Sequence, residues 1–155
     1  MTTAKGQRTI RMGVVHMAIT LVATEPITKR MLAYLAAHDE WLGPAHQYTV
    51  VYSTPNLPPR AKSYFDRETL KSYSESEFEK VFKPIRTFFK RHDMEVTFVG
   101  KSGPAADVIG SLAQQGKFDL LVMGSHGHGA LGNLVMGSVA TKVMAMCTTP
   151  ILIVR

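Results

Sequence analysis

Short apolar runs of strand length alternate along this chain with longer segments whose apolar residues recur at helical spacing. The short runs are rich in Val, Ile, Thr and aromatic residues, as buried strands typically are. They are GVVHMAITLV (13–22), YTVVYST (48–54), EVTFVG (95–100), FDLLVMG (118–124) and PILIVR (150–155). Because parallel neighbours need crossover connections, the alternation predicts an α/β fold: an open sheet of five mainly parallel strands with helices on both faces.

Four amphipathic segments connect these runs, and each is predicted to be a helix. Their bounds are 24–42, 75–93, 104–115 and 138–146. Thr24 is placed to cap the first helix. The apolar face of that helix consists of Ile27, Met31, Leu32, Leu35 and Ala36. Pro84 removes a backbone N–H from the second helix and predicts a kink there.

The stretch PNLPPRAKSYFDRETLKSYS (55–74) is the one long segment for which no strand or helix is predicted. Long irregular loops in compact domains are usually functional or mobile. We therefore predict a loop between the second strand and the second helix.

Composition limits the classes of function. The 155 residues, 45% of them hydrophobic, suit one domain with a single core. The formal net charge of +6 favours anionic partners such as nucleotides, nucleic acids or acidic membrane surfaces. The basic residues are spread along the chain and no nucleic-acid-binding motif occurs, so nucleic acid is not predicted as a partner. The single cysteine, Cys147, excludes an intrachain disulfide.

The amino-terminal residues superficially imitate a secretory signal, because basic residues precede an apolar run. His16 interrupts that run, and Leu21 stands where a small residue would be needed for cleavage. The run is also shorter than the roughly 20 apolar residues of a membrane-spanning helix. We therefore predict a polar extension at 1–12, one domain at 13–155, and no association with a membrane.

Two glycine patterns overlap in MGSHGHGALGNLVMGSVATK (123–142). Gly127, Gly129 and Gly132 form G-x-G-x-x-G, which in dinucleotide-binding proteins follows the first strand and precedes an acidic residue by about twenty positions. Here the chain has almost ended, and the residue twenty positions after Gly132 is Leu152 in the last strand. We interpret this pattern as a coincidence, and no Walker loop is present.

The second pattern, Gly124-x2-Gly127-x9-Gly137-Ser138, has a more informative position, and we call it the glycine motif. It begins where the fourth strand stops and ends where the last helix would begin, so that free N–H groups and the positive end of the helix dipole face an anion. Gly124 and Gly127 allow phosphate oxygens to approach the backbone. Ser138 adds a hydroxyl donor or caps the helix. The motif predicts a phosphate site.

The glycine motif resembles the phosphate- and ribose-binding motif of the ATP-binding universal stress proteins. GPAADVIGSLAQQGKFDLLVMGSHG and TTPILIVR are also similar to that family, and the resemblance covers nearly everything after the first dozen residues. It implies a Rossmann-like sheet, a cytoplasmic role in stress survival, homodimerisation through the last strand, and bound ATP, ADP or AMP, with or without Mg²⁺. The residues implied to contact phosphate and ribose are Gly124, Gly127, His128, Gly137, Ser138 and Val139.

The chain departs from the family at the end of strand one. Family members usually have Asp-Gly-Ser there, with the Asp reaching toward adenine and ribose, whereas this chain has Val22-Ala23-Thr24. A hydrogen bond to a charged group contributes roughly 1.5–3 kcal/mol, so its loss would lower affinity about ten- to a hundredfold. The adenine pocket implied by the alignment consists of Val22, Ser53 and Met123.

Alternatives remain at this stage. The glycines could serve a strand-to-helix turn only, and Val22 favours a protein-interaction module that has lost nucleotide. A weak ATPase or phosphotransferase has less support, because no acidic residue, general base or Lys is placed beside the phosphates. His126 and His128 lack the Cys or acidic partners of a metal site, and Cys147 lies at an apolar helix end where cysteines are usually inert. We predict no catalytic residue and no metal site.

Overall fold

The computed structural model describes residues 17–23, 27–125 and 136–155. Within these residues, five strands and six helices follow one another along the chain. They are β1 (Ala18–Val22), α1 (Ile27–Ala37), α2 (Asp39–Leu42), β2 (Gln47–Thr54), α3 (Pro59–Ser63), α4 (Arg67–Arg91), β3 (Val96–Ser102), α5 (Ala105–Gln115), β4 (Leu120–Gly124), α6 (Ser138–Met146) and β5 (Ile151–Val154). None of the described helices is long and apolar enough to cross a membrane.

The strands form one sheet in the order β3-β2-β1-β4-β5, and all four strand pairs are parallel. This confirms the predicted α/β fold. The chain builds the sheet outward from β1 to β3 and then returns, so that β4 pairs with the free side of β1. In the resulting register Val22 lies opposite Val51, and Leu21 lies opposite Val122.

Alternate side chains of the strands point to opposite faces of the sheet and build two separate cores. One face is covered by α1 and α4, which contribute Met31, Leu35, Phe82, Ile85 and Phe89. We call this the aromatic face. The other is covered by α5 and α6, which contribute Ala106, Ile109, Ala113, Ala140 and Val143. We call this the small-residue face.

The predicted first helix is divided in the structure. α1 ends at Ala37, and His38 has non-helical dihedral angles (φ −128°, ψ 39°). Its Nδ1–H donates to the carbonyl of Tyr34 at 2.8 Å, and the two rings stack 4.0 Å apart. This local hydrogen bond competes with the helical ladder. Met31 and Leu35 are buried as the pattern predicts, whereas Ala36 is exposed.

The prediction of an irregular loop at 55–74 was wrong. α3 occupies part of this segment, and α4 begins at Arg67, eight residues before the predicted start. Asp66 starts α4, because its Oδ1 accepts the Thr69 N–H at 2.6 Å. α4 continues through Pro84, which lies on the exposed side, where water can bond the carbonyl that the missing N–H leaves unpaired.

α5 and α6 begin and end close to their predicted bounds. α5 lies between an N-cap at Pro104 and a C-cap at Gly116. α6 begins at Ser138 and ends at Met146, with Cys147 as its C-cap. The Gln114 side-chain amide donates to the Met146 carbonyl and joins the two helices. Both helices therefore cover the small-residue face as a pair.

Candidate functional site

The carboxyl ends of β1 and β4 form the topological switch point of the sheet. On one side β1 pairs with β2, the next strand along the chain. On its other side β1 pairs with β4, which the chain forms only after β3. The helices that follow these two strands, α1 and α6, cover opposite faces of the sheet. In open α/β sheets, ligands bind outside the carboxyl ends of the strands at such a switch point.

The two ends of the glycine motif meet at this switch point. Ser125, the residue after β4, is 3% exposed and donates its N–H to the Val154 carbonyl at 3.1 Å. Its own carbonyl accepts the Gly137 N–H at 2.6 Å. The bond closes the connection between β4 and α6 and places Gly137 beside the end of β4.

Part of the predicted phosphate site lies outside the described residues. Gly127 and His128 belong to the segment 126–135, and so does His126, the other member of the rejected metal pair. The described contributors to the site are therefore the two ends of the glycine motif. Elsewhere in the described ranges, no group of three or more His, Cys, Asp or Glu side chains is placed to hold a metal ion.

The amino terminus of α6 lies at the switch point and presents backbone N–H groups that the helix itself does not use. Gly137 is the N-cap, with extended dihedral angles and no side-chain cap bond, so the alternative in which Ser138 caps the helix is wrong. The first helical hydrogen bond runs from the Thr141 N–H to the Gly137 carbonyl at 3.1 Å. The N–H groups of Ser138, Val139 and Ala140 precede it and have no acceptor within the helix. Their positive dipole end suits an anion.

The predicted adenine-pocket residues lie on the small-residue face. Val22 and Met123 are each 3% exposed and belong to one apolar cluster. Ser53 lies two residues beyond Val51 on the same face and is half-buried. Its Oγ–H donates to the Gly103 carbonyl at 2.8 Å. The structure thus brings Val22 and Met123 together, and it places Ser53 farther along β2 with its hydroxyl already engaged.

Gly103 also contributes to this region, although its role is not apparent from the sequence. It follows β3 with φ +150°, a conformation that favours glycine. Its N–H donates to the Thr54 carbonyl at 2.9 Å, while its carbonyl accepts the Ser53 hydroxyl. The turn between β3 and α5 therefore fixes the carboxyl end of β2. The Gly-Pro pair at 103–104 signals a turn in the sequence, but it does not reveal which strand that turn contacts.

These features define an open α/β protein with the amino terminus of a helix at its switch point. The model of the universal stress protein family matches residues 19–155, and the chain therefore belongs to this family. A curated relative is 45% identical over 53 residues: the universal stress protein in the QAH/OAS sulfhydrylase 3′ region of Thermus aquaticus. That match spans 34% of this chain and 39% of the relative.

Solved structures of family members share the fold. UspA from Lactobacillus plantarum aligns with 90% of this chain and 98% of its own, at 13% identity and a TM-score of 0.73. An Arabidopsis thaliana family protein with AMP bound aligns with 89% of this chain and 90% of its own, at 12% identity and a TM-score of 0.62. Other family structures are complexes with cAMP and, from Archaeoglobus fulgidus, with dAMP.

Proposed function

We propose that this protein binds an adenine nucleotide, ATP, ADP or AMP, at the switch point between β1 and β4 and acts as a cytoplasmic stress-response module. The observation that carries the proposal is the Gly137 N–H bond to Ser125, because it sets the amino terminus of α6 against the end of β4. Family structures with AMP, dAMP and cAMP bound support the same ligand class.

In this proposal the phosphates lie against α6. The N–H groups of Ser138 and Val139 donate to phosphate oxygens, and the exposed Ser138 hydroxyl adds a further donor. Gly124, Gly127 and His128 complete the phosphate and ribose site, and Mg²⁺ accompanies the di- and triphosphates. The base lies toward Val22, Met123 and Ser53, where apolar packing replaces the family's carboxylate.

Two substitutions at Gly137 compare a charged side chain with a neutral side chain of similar shape. Asp and Asn are both favoured N-cap residues, so Gly137→Asp and Gly137→Asn should keep α6 intact. The Asp carboxylate would repel the phosphates, and we expect ATP affinity in calorimetry to fall at least tenfold relative to the Asn variant. AMP, with fewer phosphate charges, should show a smaller difference. Undetectable heat for the parent protein at millimolar ATP, or equal affinities of the two variants, would refute nucleotide binding at this helix end.

A second candidate function is a protein-interaction module of the same fold without nucleotide. Its support is Val22, which is buried in the apolar cluster of the small-residue face where relatives usually place a carboxylate. The same calorimetry decides between the two candidates. A folded parent protein that binds neither ATP nor AMP would favour the interaction module.

We also propose that the protein forms a homodimer through β5. Within the described sheet β5 is an edge strand that pairs with β4 alone, and its residues Ile151–Val154 are all apolar. An exposed apolar edge tends to pair with another strand, and a two-fold axis would protect both edges at once. Light scattering should give twice the 17.1 kDa chain mass. A monomer mass at micromolar concentration would contradict the proposal.

A further inference from the structure

A buried histidine joins two segments of the chain near the amino-terminal end of the sheet. His46 directly precedes β2, is 8% exposed and has a hydrogen-bond partner on each ring nitrogen. The Met17 backbone nitrogen lies 3.2 Å from its Nδ1, and the Trp41 carbonyl oxygen lies 2.8 Å from its Nε2. Met17 precedes β1 and Trp41 belongs to α2, so one side chain connects the start of the central strand with a short helix. We call this pair of hydrogen bonds the His46 clasp.

The two partners permit only one protonation state of the ring. The backbone N–H of Met17 can only donate, so Nδ1 must keep its lone pair and accept. The carbonyl of Trp41 can only accept, so Nε2 must carry the hydrogen and donate. The ring of His46 is therefore neutral, with its hydrogen on Nε2, when both bonds of the clasp are formed.

A second proton on the ring breaks one of these bonds and keeps the other. A proton on Nδ1 occupies the lone pair that the Met17 N–H uses, so two N–H groups would face each other. The bond from Nε2 to the Trp41 carbonyl persists, because a charged ring still donates there. A buried N–H without an acceptor is costly, so Met17 must move away from the ring for its N–H to find another acceptor.

The other histidines among the described residues respond differently to a proton. Nδ1 of His38 bonds the Tyr34 carbonyl at 2.8 Å, and Nδ1 of His92 bonds the Phe88 carbonyl at 2.9 Å. A carbonyl accepts from a neutral or a charged ring alike, so protonation leaves both bonds in place. Of these three histidines, only His46 accepts a hydrogen bond that a proton would break.

No ionic partner for a charged His46 is present in the described part of the chain. None of the ion pairs between described residues includes this ring. A proton on the closed clasp would therefore be a buried charge without an ionic partner, which further disfavours the closed state. The titratable groups on the elements packed around the clasp are Asp39 and Glu40 of α2, Tyr48 of β2, Glu95 before β3 and Asp119 before β4.

We propose that the His46 clasp is a pH-sensitive device, which holds the start of β1 when the ring is neutral and releases it when the ring gains a proton. Histidine changes its charge between about pH 8 and 5. The Met17 bond is therefore present at the upper end of this range and is lost toward the lower end. The Met17 carbonyl also accepts the Gln47 N–H at 3.0 Å, so the release is confined to the start of the strand. The clasp lies at the end of β1 opposite to the switch point and operates whether or not a nucleotide binds.

NMR of the full-length parent protein tests the protonation state directly. At pH 8 the nitrogen-15 chemical shifts of His46 should show a hydrogen on Nε2 and none on Nδ1. Between pH 8 and 5, the protection of the Met17 amide against hydrogen exchange, relative to the intrinsic exchange rate at each pH, should fall at least tenfold. The Leu21 amide, farther along β1, should keep its protection.

Matched substitutions separate His46 from the other histidines. His46→Asn places an amide oxygen near the position of Nδ1, which accepts the Met17 N–H but does not titrate. The pH-dependent loss of Met17 protection should therefore disappear in this variant. His92→Asn, at an exposed site, is the control and should retain the loss. An unchanged circular dichroism spectrum verifies that both variants are folded.

Three results would overturn the proposal: a hydrogen on Nδ1 at pH 8, a Met17 protection that does not change with pH, or a loss that persists in His46→Asn. Equal losses at Met17 and Leu21 would do the same, because acid would then unfold the domain and not only open the clasp. Should His46→Asn fail to fold, the chemical shifts and the exchange rates of the parent protein decide, since neither measurement needs a variant.

Discussion

Different kinds of side chain pack against the two faces of the sheet. On the aromatic face, rings meet in sequence: Tyr48 lies 5.2 Å from Phe89, Phe82 lies 4.8 Å from Phe98, and the Arg86 guanidinium stands 5.1 Å from the Phe98 ring centre. The described part of the small-residue face has no aromatic side chain in its core.

The two faces consequently present different groups to solvent. On the small-residue face, small side chains and glycines bring the backbone of α6 to the surface, and the proposed nucleotide site depends on backbone N–H groups. On the aromatic face, large side chains extend beyond the core, and Tyr73 of α4 is 55% exposed. The contrast shows that the two faces of one sheet can differ in the chemistry of their packing.

The largest expected effect concerns charge on the small-residue face. Val22→Asp would place a carboxylate in an apolar cluster where the side chain is 3% exposed. An unpaired buried charge costs about 3–5 kcal/mol, so the free energy of unfolding in a urea titration should fall by that amount. Val22→Thr is the near-isosteric control and should lose less. A folded, stable Val22→Asp protein with tighter ATP binding would instead show that a carboxylate at this position reaches the nucleotide.

The second prediction compares added methyl groups on the two faces. A Cβ at Gly100 would lie 2.6 Å from two ring carbons of Phe78, so Gly100→Ala should destabilise the aromatic face by about 1–3 kcal/mol. A Cβ at Gly110 would meet the flexible Met146 side chain at 3.0 Å, and alanine gains about 1 kcal/mol of helix propensity there. Gly110→Ala should therefore be nearly neutral in thermal unfolding. Equal losses for both variants would contradict the difference in packing.

The third prediction concerns a buried hydroxyl. Thr20 Oγ1 is the one buried side-chain polar atom without a hydrogen-bond partner among the described residues. Thr20 lies opposite Leu121 in the register and therefore on the small-residue face. Thr20→Val keeps the shape and removes the unpaired group, so it should stabilise the protein by about 1–3 kcal/mol in chemical unfolding. A destabilised variant would indicate that the hydroxyl has an acceptor.

The smallest expected effect is a pH-dependent change in the stability of the first turn of α4. The Thr69 backbone N–H lowers the pKa of Asp66, so the carboxylate contributes stability that is present above its unfolded pKa of about 3.9. This contribution is lost as the pH falls through the lowered folded pKa. The protection of the first turn of α4 against hydrogen exchange, relative to the intrinsic exchange rate at each pH, should therefore decrease at acid pH but not between pH 7 and 5. The exchange profile of Asp66→Asn, which keeps an acceptor without the charge, should depend less on pH.

Sequence patterns predict strands and helices correctly where residues close together in the sequence determine the structure. The periodicity of β2 to β5, α5 and α6 predicted these elements within a few residues, because strand and helix spacing decide which side chains can share a core. The start of α4 was missed although Asp66 carries a capping signal, because the prolines and polar residues of 55–74 outweighed it. The break at His38 was missed because it depends on a bond to Tyr34 that helical spacing does not reveal.

The sequence by itself determined the alternation of strands and helices, the positions of the glycines and the charge of the chain, since these follow from residue type and spacing. Only the tertiary structure decided that β4 returns to the free side of β1, because strand order depends on how the crossover helices pack and not on any local pattern. That return brings Ser125 and Gly137 together and buries Val22 beside Met123. Burial and proximity of residues distant in sequence are properties of the assembled sheet.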